Sequence, residues 1–317
     1  MRAYLDGIFR RHLDITIASG SEFSARILDR PGLWMSPDEL RALSDDLITI
    51  GAKTLPEGSL TYGIFSGEQE VFRRTAITLV RRRSDGRPIA FNALALIDLD
   101  LGDGPIEVLH LGLVMVDPDQ QSRGLSWLLY GLTVILLFVR NQMRPIWISN
   151  VTQVPAIVGM VAQTFSGVYP VPDPAARRSL RHLLLARTIM RDHRHVFGVG
   201  PEAGFDEDRF VITNAYTGGS DDLKKTYETA PKHRQEDFNR FCADQLDYAR
   251  GDDVLQIGRM DFAAAARYLR GSVPRRSLAG LSLTLGILLV QRAVLPVIHW
   301  FDASRPWQSL RPWGGPG

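Results

Sequence analysis

The stretch from Leu109 to Phe138 does most to limit what this chain can fold into. Leu109 to Val116 is a short apolar run rich in branched side chains, which predicts a buried strand. Pro118 ends it, because proline cannot donate to a strand ladder. From Leu125 onward the chain is again almost wholly apolar, but too long and leucine-rich for a strand. It predicts a helix packed on a sheet, shorter than the roughly 20 residues a bilayer crossing needs. Between strand and helix, Gly124 and the small Ser126 sit where the turn becomes helical. A helix start leaves backbone N–H groups unpaired and partly positive. Where no bulky side chain blocks the approach, those groups cradle phosphate.

Around this stretch the pattern alternates between sheet and helix. Residues 1–59 read as a helical N-terminal region, with Ser36, Pro37, Asp38 and Glu39 as a helix start and Leu40, Leu43 and Leu47 at helical spacing. Leu60 to Phe65 is a candidate short strand, and Phe72 to Arg82 and Pro88 to Leu99 are strands joined by the Asp85-Gly86 turn signal. Ile106 to Val116 completes an antiparallel meander. Pro145 to Asn150 and Val154 to Phe165 then predict a strand and a helix. An insertion at 166–208 carries a basic helix over Ala175 to Arg194, whose arginines read as a solvated face or, functionally, as a contact for phosphates or anionic lipid head groups. Arg209 to Tyr216 and Val254 to Met260 are the last strands, with a polar helix over Lys224 to Arg250 between them.

The run Val116-x-Pro118-x-x-Gln121-x-x-Gly124-x-Ser126 resembles the acyl-CoA-binding motif of the GNAT acyltransferases, Val-x-Pro-x-x-Arg/Gln-x-x-Gly-x-Gly/Ala. Ser126 departs mildly from the pattern, being larger than the usual last residue. The resemblance implies an α/β (α+β) fold with a mixed, mostly antiparallel central sheet flanked by helices over 60–260. It implies a V-shaped opening between two parallel strands that takes the pantetheine. It also implies acyl-CoA as co-substrate, held by the backbone of Val114 and Val116 and by the turn Gln121, Ser122, Arg123, Gly124, Leu125 and Ser126. Gln153 stands where the family often has an asparagine. Met160 stands where it often has the tyrosine that protonates the departing thiolate, which leaves that role unassigned. Glu107 and His110 are the titratable residues of the central strand and the two candidate general bases; three residues apart, they face opposite sides of a regular strand. His110 has the better matched intrinsic pKa.

The expected reaction is transfer of an acyl group from acyl-CoA to a primary amine. A long-chain donor and a lipid amine such as a sphingoid base, in the manner of bacterial ceramide synthases, would account for the apolar C-terminal tail at 261–317. There Leu278 to Val290 and Ala293 to Phe301 flank Gln291 and Arg292. An arginine inside a span costs roughly 3 kcal/mol at its centre, so the tail suits a segment lying in the membrane interface. Two alternatives stand beside this reading: a soluble acetyl-CoA-dependent acetyltransferase of a small molecule or protein, and an inactive CoA-fold partner at a membrane. A formal charge of +2 is too small to argue for a nucleic-acid partner, and none is expected. The single cysteine, Cys242, excludes an intramolecular disulfide and suits the reducing cytosol. No signal peptide is read at the start, so the expected location is cytoplasmic, peripheral or monotopic on the inner face of the membrane. No metal is expected: His193 and His195 lack a third ligand at convincing spacing, and cationic neighbours repel a metal.

Overall fold

The structure is a computed structural model. It describes residues 12–55, 63–102, 104–120, 125, 128–218, 223–271 and 273, with 280, 282–283, 285–287, 289–294 and 297 of the tail. Its ten strands are β1 Asp14–Ser19, β2 Phe23–Asp29, β3 Thr75–Arg82, β4 Pro88–Asp100, β5 Pro105–Val116, β6 Ile146–Thr152, β7 Ser166–Tyr169, β8 Gly204–Asp206, β9 Val211–Thr213 and β10 Asp253–Met260. They form one sheet in the order β1-β2-β3-β4-β5-β6-β10-β9-β8, with β7 also on β10. Among the described residues only the β5–β6 pairing is parallel. The expected α/β class with a mostly antiparallel sheet is therefore what the chain adopts.

Helices cover both faces. On one face α3, Thr133–Arg140, and α7, Phe262–Gly271, pack on Ala90, Leu94, Leu96 and Leu109. The other face is covered in two halves. Helix α1, Pro37–Thr54, buries Leu40, Leu43, Leu47 and Ile50 against Ile77, Leu79, Phe91 and Ala93. Its start is the capping box the sequence spells, with Ser36 accepting from the Glu39 amide and Glu39 returning a bond to Ser36. The second half is α5, Leu180–Thr188, with the turns after it, whose Leu185, Ile189 and Phe197 lie on Ile97, Val108 and Ile257. Between the halves the sheet is bare, and α2, Gln69–Arg73, borders the gap. Helices α4, Pro155–Thr164, and α6, Glu236–Gln245, share a fourth small core that includes Cys242, whose thiol burial pushes up to about 12.

Three local expectations are corrected. The N-terminal region is not mostly helical: residues 14–29 form the β1–β2 hairpin, whose Ile15, Ile17, Phe23, Ala25 and Ile27 point into the core. Their period-two alternation decides against a helix. Residues 224–250 are helical only over Glu236–Gln245: Pro231 has no amide to donate and its carbonyl accepts from the Ala156 amide, while the backbone of His233 is tied to the Asn239 side chain. Gly63–Phe65 is a 3-10 turn rather than the end of a strand, and 56–62 lie outside the described residues. Among the described residues no helix is long and apolar enough to cross a membrane.

Candidate active site

Strand β5 forks from β6. The two pair in parallel only over Val108 to His110 with Trp147 to Ser149. Beyond that point β5 runs on to Val116 and β6 to Thr152, β5 held by β4 and β6 by β10. At the fork β5 carries a bulge: Ala95 pairs with His110 and Ala93 with Leu113, so β5 spends one residue more than β4 over the interval. A bulge bends a strand and re-aims the side chains after it. Here Leu111 faces the α3 side and Leu113 the α1 side, which reverses the strand's inside-outside alternation. Gly112 makes this packing fit. A Cβ on it would lie 2.5 Å from the Ala93 carbonyl oxygen.

Past the bulge the ladder is regular. The Asp117 amide donates to the Ile89 carbonyl at 2.8 Å, and the register continues Val116–Ala90, Met115–Phe91, Val114–Asn92. Antiparallel pairing alternates, so Met115 and Leu113 spend their backbone groups on β4 while those of Val114 and Val116 point into the fork. The turn that follows is anchored by the buried Asp117 carboxylate. It takes Lys53 Nζ at 2.7 Å, Arg87 at 3.1 Å and the Asp119 amide at 3.1 Å. Gln121, Ser122, Arg123, Gly124 and Ser126 lie outside the described residues. Leu125 is buried in the first core, and its carbonyl receives the amides of Leu128 and Leu129. A π turn, Leu128–Leu132, leads into α3. It is fastened to the sheet by the Asn92 amide, which donates to the Leu129 carbonyl, and by Thr78 and Thr133, whose hydroxyls bond each other.

A cavity of about 620 Å³ occupies the bare strip of sheet over the bulge. Its floor includes Ala93, Ala95, His110 and Gly112. One wall is Ile64, Val71 and the charged Glu68, Glu70 and Arg74; the other is His193, His195 and Val196 of the basic insertion. His110 is buried, its Nδ1 lies 3.0 Å from Ser149 Oγ on β6, and its ring stacks on Phe197 at 4.8 Å between centroids. Burial pushes its pKa down to about 4, so the imidazole is neutral at pH 7.

The two candidate bases are thus separated. Glu107 is exposed, is not among the residues lining the cavity, and pairs with Arg30. Gln153 is fully buried and satisfied by protein atoms: it bonds Tyr216 Oη at 2.6 Å, and its backbone carbonyl accepts from Tyr248 Oη at 2.7 Å. It braces Tyr216 and Leu223 and does not line the cavity. Tyr216 in turn donates to the buried Asp253 at 3.0 Å. Among the described residues no group of three His, Cys, Asp or Glu is placed to hold a metal ion; the rings of His193 and His195 lie 6.4 Å apart. Much of the basic insertion is already paired, with Arg187 on Glu207, Arg191 on Asp192 and Arg178 on the Glu207 carbonyl.

Ser149 carries no sequence signal, since only the parallel register brings it to His110. Glu68, Glu70 and Arg74 likewise reach the cavity through folding alone. No protein-family model matches the chain, and no curated protein matches it.

Proposed function

We propose that the chain is an acyl-CoA-dependent N-acyltransferase of GNAT type. Acyl-CoA lies in the fork, with its pantetheine arm along the backbone groups of Val114 and Val116 that β4 leaves unused and its thioester at the bulge beside His110. The observation that carries this reading is the fork: a parallel pair that separates after His110, directly before a turn with the Val-x-Pro-x-x-Gln-x-x-Gly-x-Ser pattern. The free edge of β5 offers the bonds that a neighbouring strand would otherwise make. The mainly apolar cavity over the bulge has room for the reacting groups, while acids and histidines in its walls face an incoming amine.

The acceptor we favour is a lipid amine, with a long-chain acyl-CoA as donor, acting at a membrane surface. The support is the exposed apolar set Leu283, Leu289, Val290, Val294 and Val297 in the tail, with Phe262 exposed on α7. Such residues lie readily in a bilayer interface when cations accompany them, as Arg275 and Arg276 ahead of the set and Arg292 within it do in the sequence.

Purified protein is expected to release CoA from palmitoyl-CoA in the presence of sphinganine and to yield the amide by mass spectrometry. It should also sediment with vesicles, and removal of residues after Arg276 should abolish sedimentation. Turnover of acetyl-CoA on polyamines or peptides, with none on long-chain donors, would reject the lipid acceptor. Absence of CoA release with every donor and amine would reject the enzyme.

A further inference from the structure

Resting on the acyl-transfer reading, we propose that His110 is a neutral hydrogen-bond donor to the thioester oxygen, carrying its proton on Nε2, and that Ser149 is the positioning residue that sets this tautomer. The argument begins with the hydroxyl. Ser149 is fully buried, and among the described residues its one side-chain hydrogen bond is to His110 Nδ1 at 3.0 Å. A buried hydroxyl that leaves its hydrogen unbonded loses the solvation it had in water. Nδ1 is the acceptor within reach, so Ser149 donates to it. A neutral imidazole that accepts at Nδ1 carries its hydrogen at Nε2. Nε2 has no partner among the described residues, and His110 lines the cavity. Stacking on Phe197 fixes the plane of the ring. The opposite tautomer would make Nε2 a bare base, but it would strand the Ser149 hydrogen in the core.

The chemistry then balances without a proton leaving His110. The neutral amine nitrogen attacks the thioester carbon and forms the C–N bond, and the carbonyl π pair moves onto oxygen. The Nε2–H bonds that oxygen as charge gathers there. The pair returns, the C–S bond breaks, and CoA leaves as thiolate. The proton released by the amine nitrogen passes to the thiolate, directly or through water. A preorganised donor in a buried site favours the oxyanion over the ground-state carbonyl, and neutral imidazole can fill that role.

The test uses the full chain labelled with 15N-histidine. Long-range proton–nitrogen spectra report each tautomer, and His110→Gln assigns the His110 signals. The expected result is Nε2–H between pH 6 and 8, with Ser149→Ala shifting the population toward Nδ1–H. In CoA-release kinetics, His110→Ala should lower kcat by about 10²–10³-fold, the range for loss of one oxyanion donor, with KM for acyl-CoA nearly unchanged. His110→Gln, whose amide can donate, should recover part of the rate, and His110→Glu none. A proton on Nδ1, or recovery by Glu instead of Gln, overturns this inference and leaves the acyltransferase reading standing. A wild-type chain that shows Nε2–H but transfers no acyl group overturns that reading, and with it the role built on it.

Discussion

Between pH 5 and pH 8 the wild-type chain should lose about 3 kcal/mol of stability relative to Asp253→Asn. Asp253 opens β10, is buried, and accepts from Tyr216 Oη at 3.0 Å. Burial pushes its pKa up to about 7, with Asp252 adding to the rise and the Tyr216 bond opposing it. The folded chain therefore holds a proton at this carboxyl that the unfolded chain gives up near pH 4. That difference stabilises the fold fully below the unfolded pKa, and it fades as pH rises through 7. An asparagine keeps the oxygen that receives Tyr216 and never ionises. Chemical denaturation of both proteins at several pH values gives the difference directly. A gap that stays flat from pH 5 to pH 8 would mean that Asp253 is ionised throughout.

Gly112→Val should cost about 3 kcal/mol and most of the catalytic rate, because the added side chain overpacks a site built from backbone. The Cβ alone would lie 2.5 Å from the Ala93 carbonyl oxygen, which is held in the ladder and cannot swing aside as a side-chain tip can. The strand must then straighten or separate from β4, and either change moves His110 and the free groups of Val114. Gly271→Ala makes the contrast, since a Cβ there meets nothing within 4 Å. It should leave activity intact and stability equal or slightly higher, as alanine is the better helix former. Urea midpoints and CoA release on the two variants decide the matter. Equal stability of Gly112→Val and wild type would mean that the bulge does not need its glycine.

Much of the sheet was legible because its signals are local. Asp85 and Gly86 mark the β3–β4 turn, and the apolar runs of β4, β5, β6 and β10 fall close to their observed bounds. The N-terminal hairpin was not, because the strong helix start at Ser36 to Glu39 lies in the same region, whereas the alternation of Ile15 and Ile17, repeated by Phe23, Ala25 and Ile27 on the next strand, is short. Gly112 inside an apolar strand was a usable sign of a bulge, since glycine there often marks one. The cavity had no comparable sign. Glu68, Arg74, His193 and Ser149 come from segments far apart in the chain, and only the fork and the two half-covers of the sheet bring them near His110. Gln153 shows the reverse failure. Its place in a pattern suggested a ligand contact, but burial gave it the Tyr216 hydroxyl instead.

The most direct test of the central claim is a crystal structure with a long-chain acyl-CoA thioether, which cannot transfer its acyl group. The account predicts the pantetheine arm bonded to the backbone of Val114 and Val116, with the sulfur at the bulge and His110 Nε2 facing the reacting end. An empty fork at saturating ligand, or Val114 and Val116 already bonded to other parts of the chain, would contradict it.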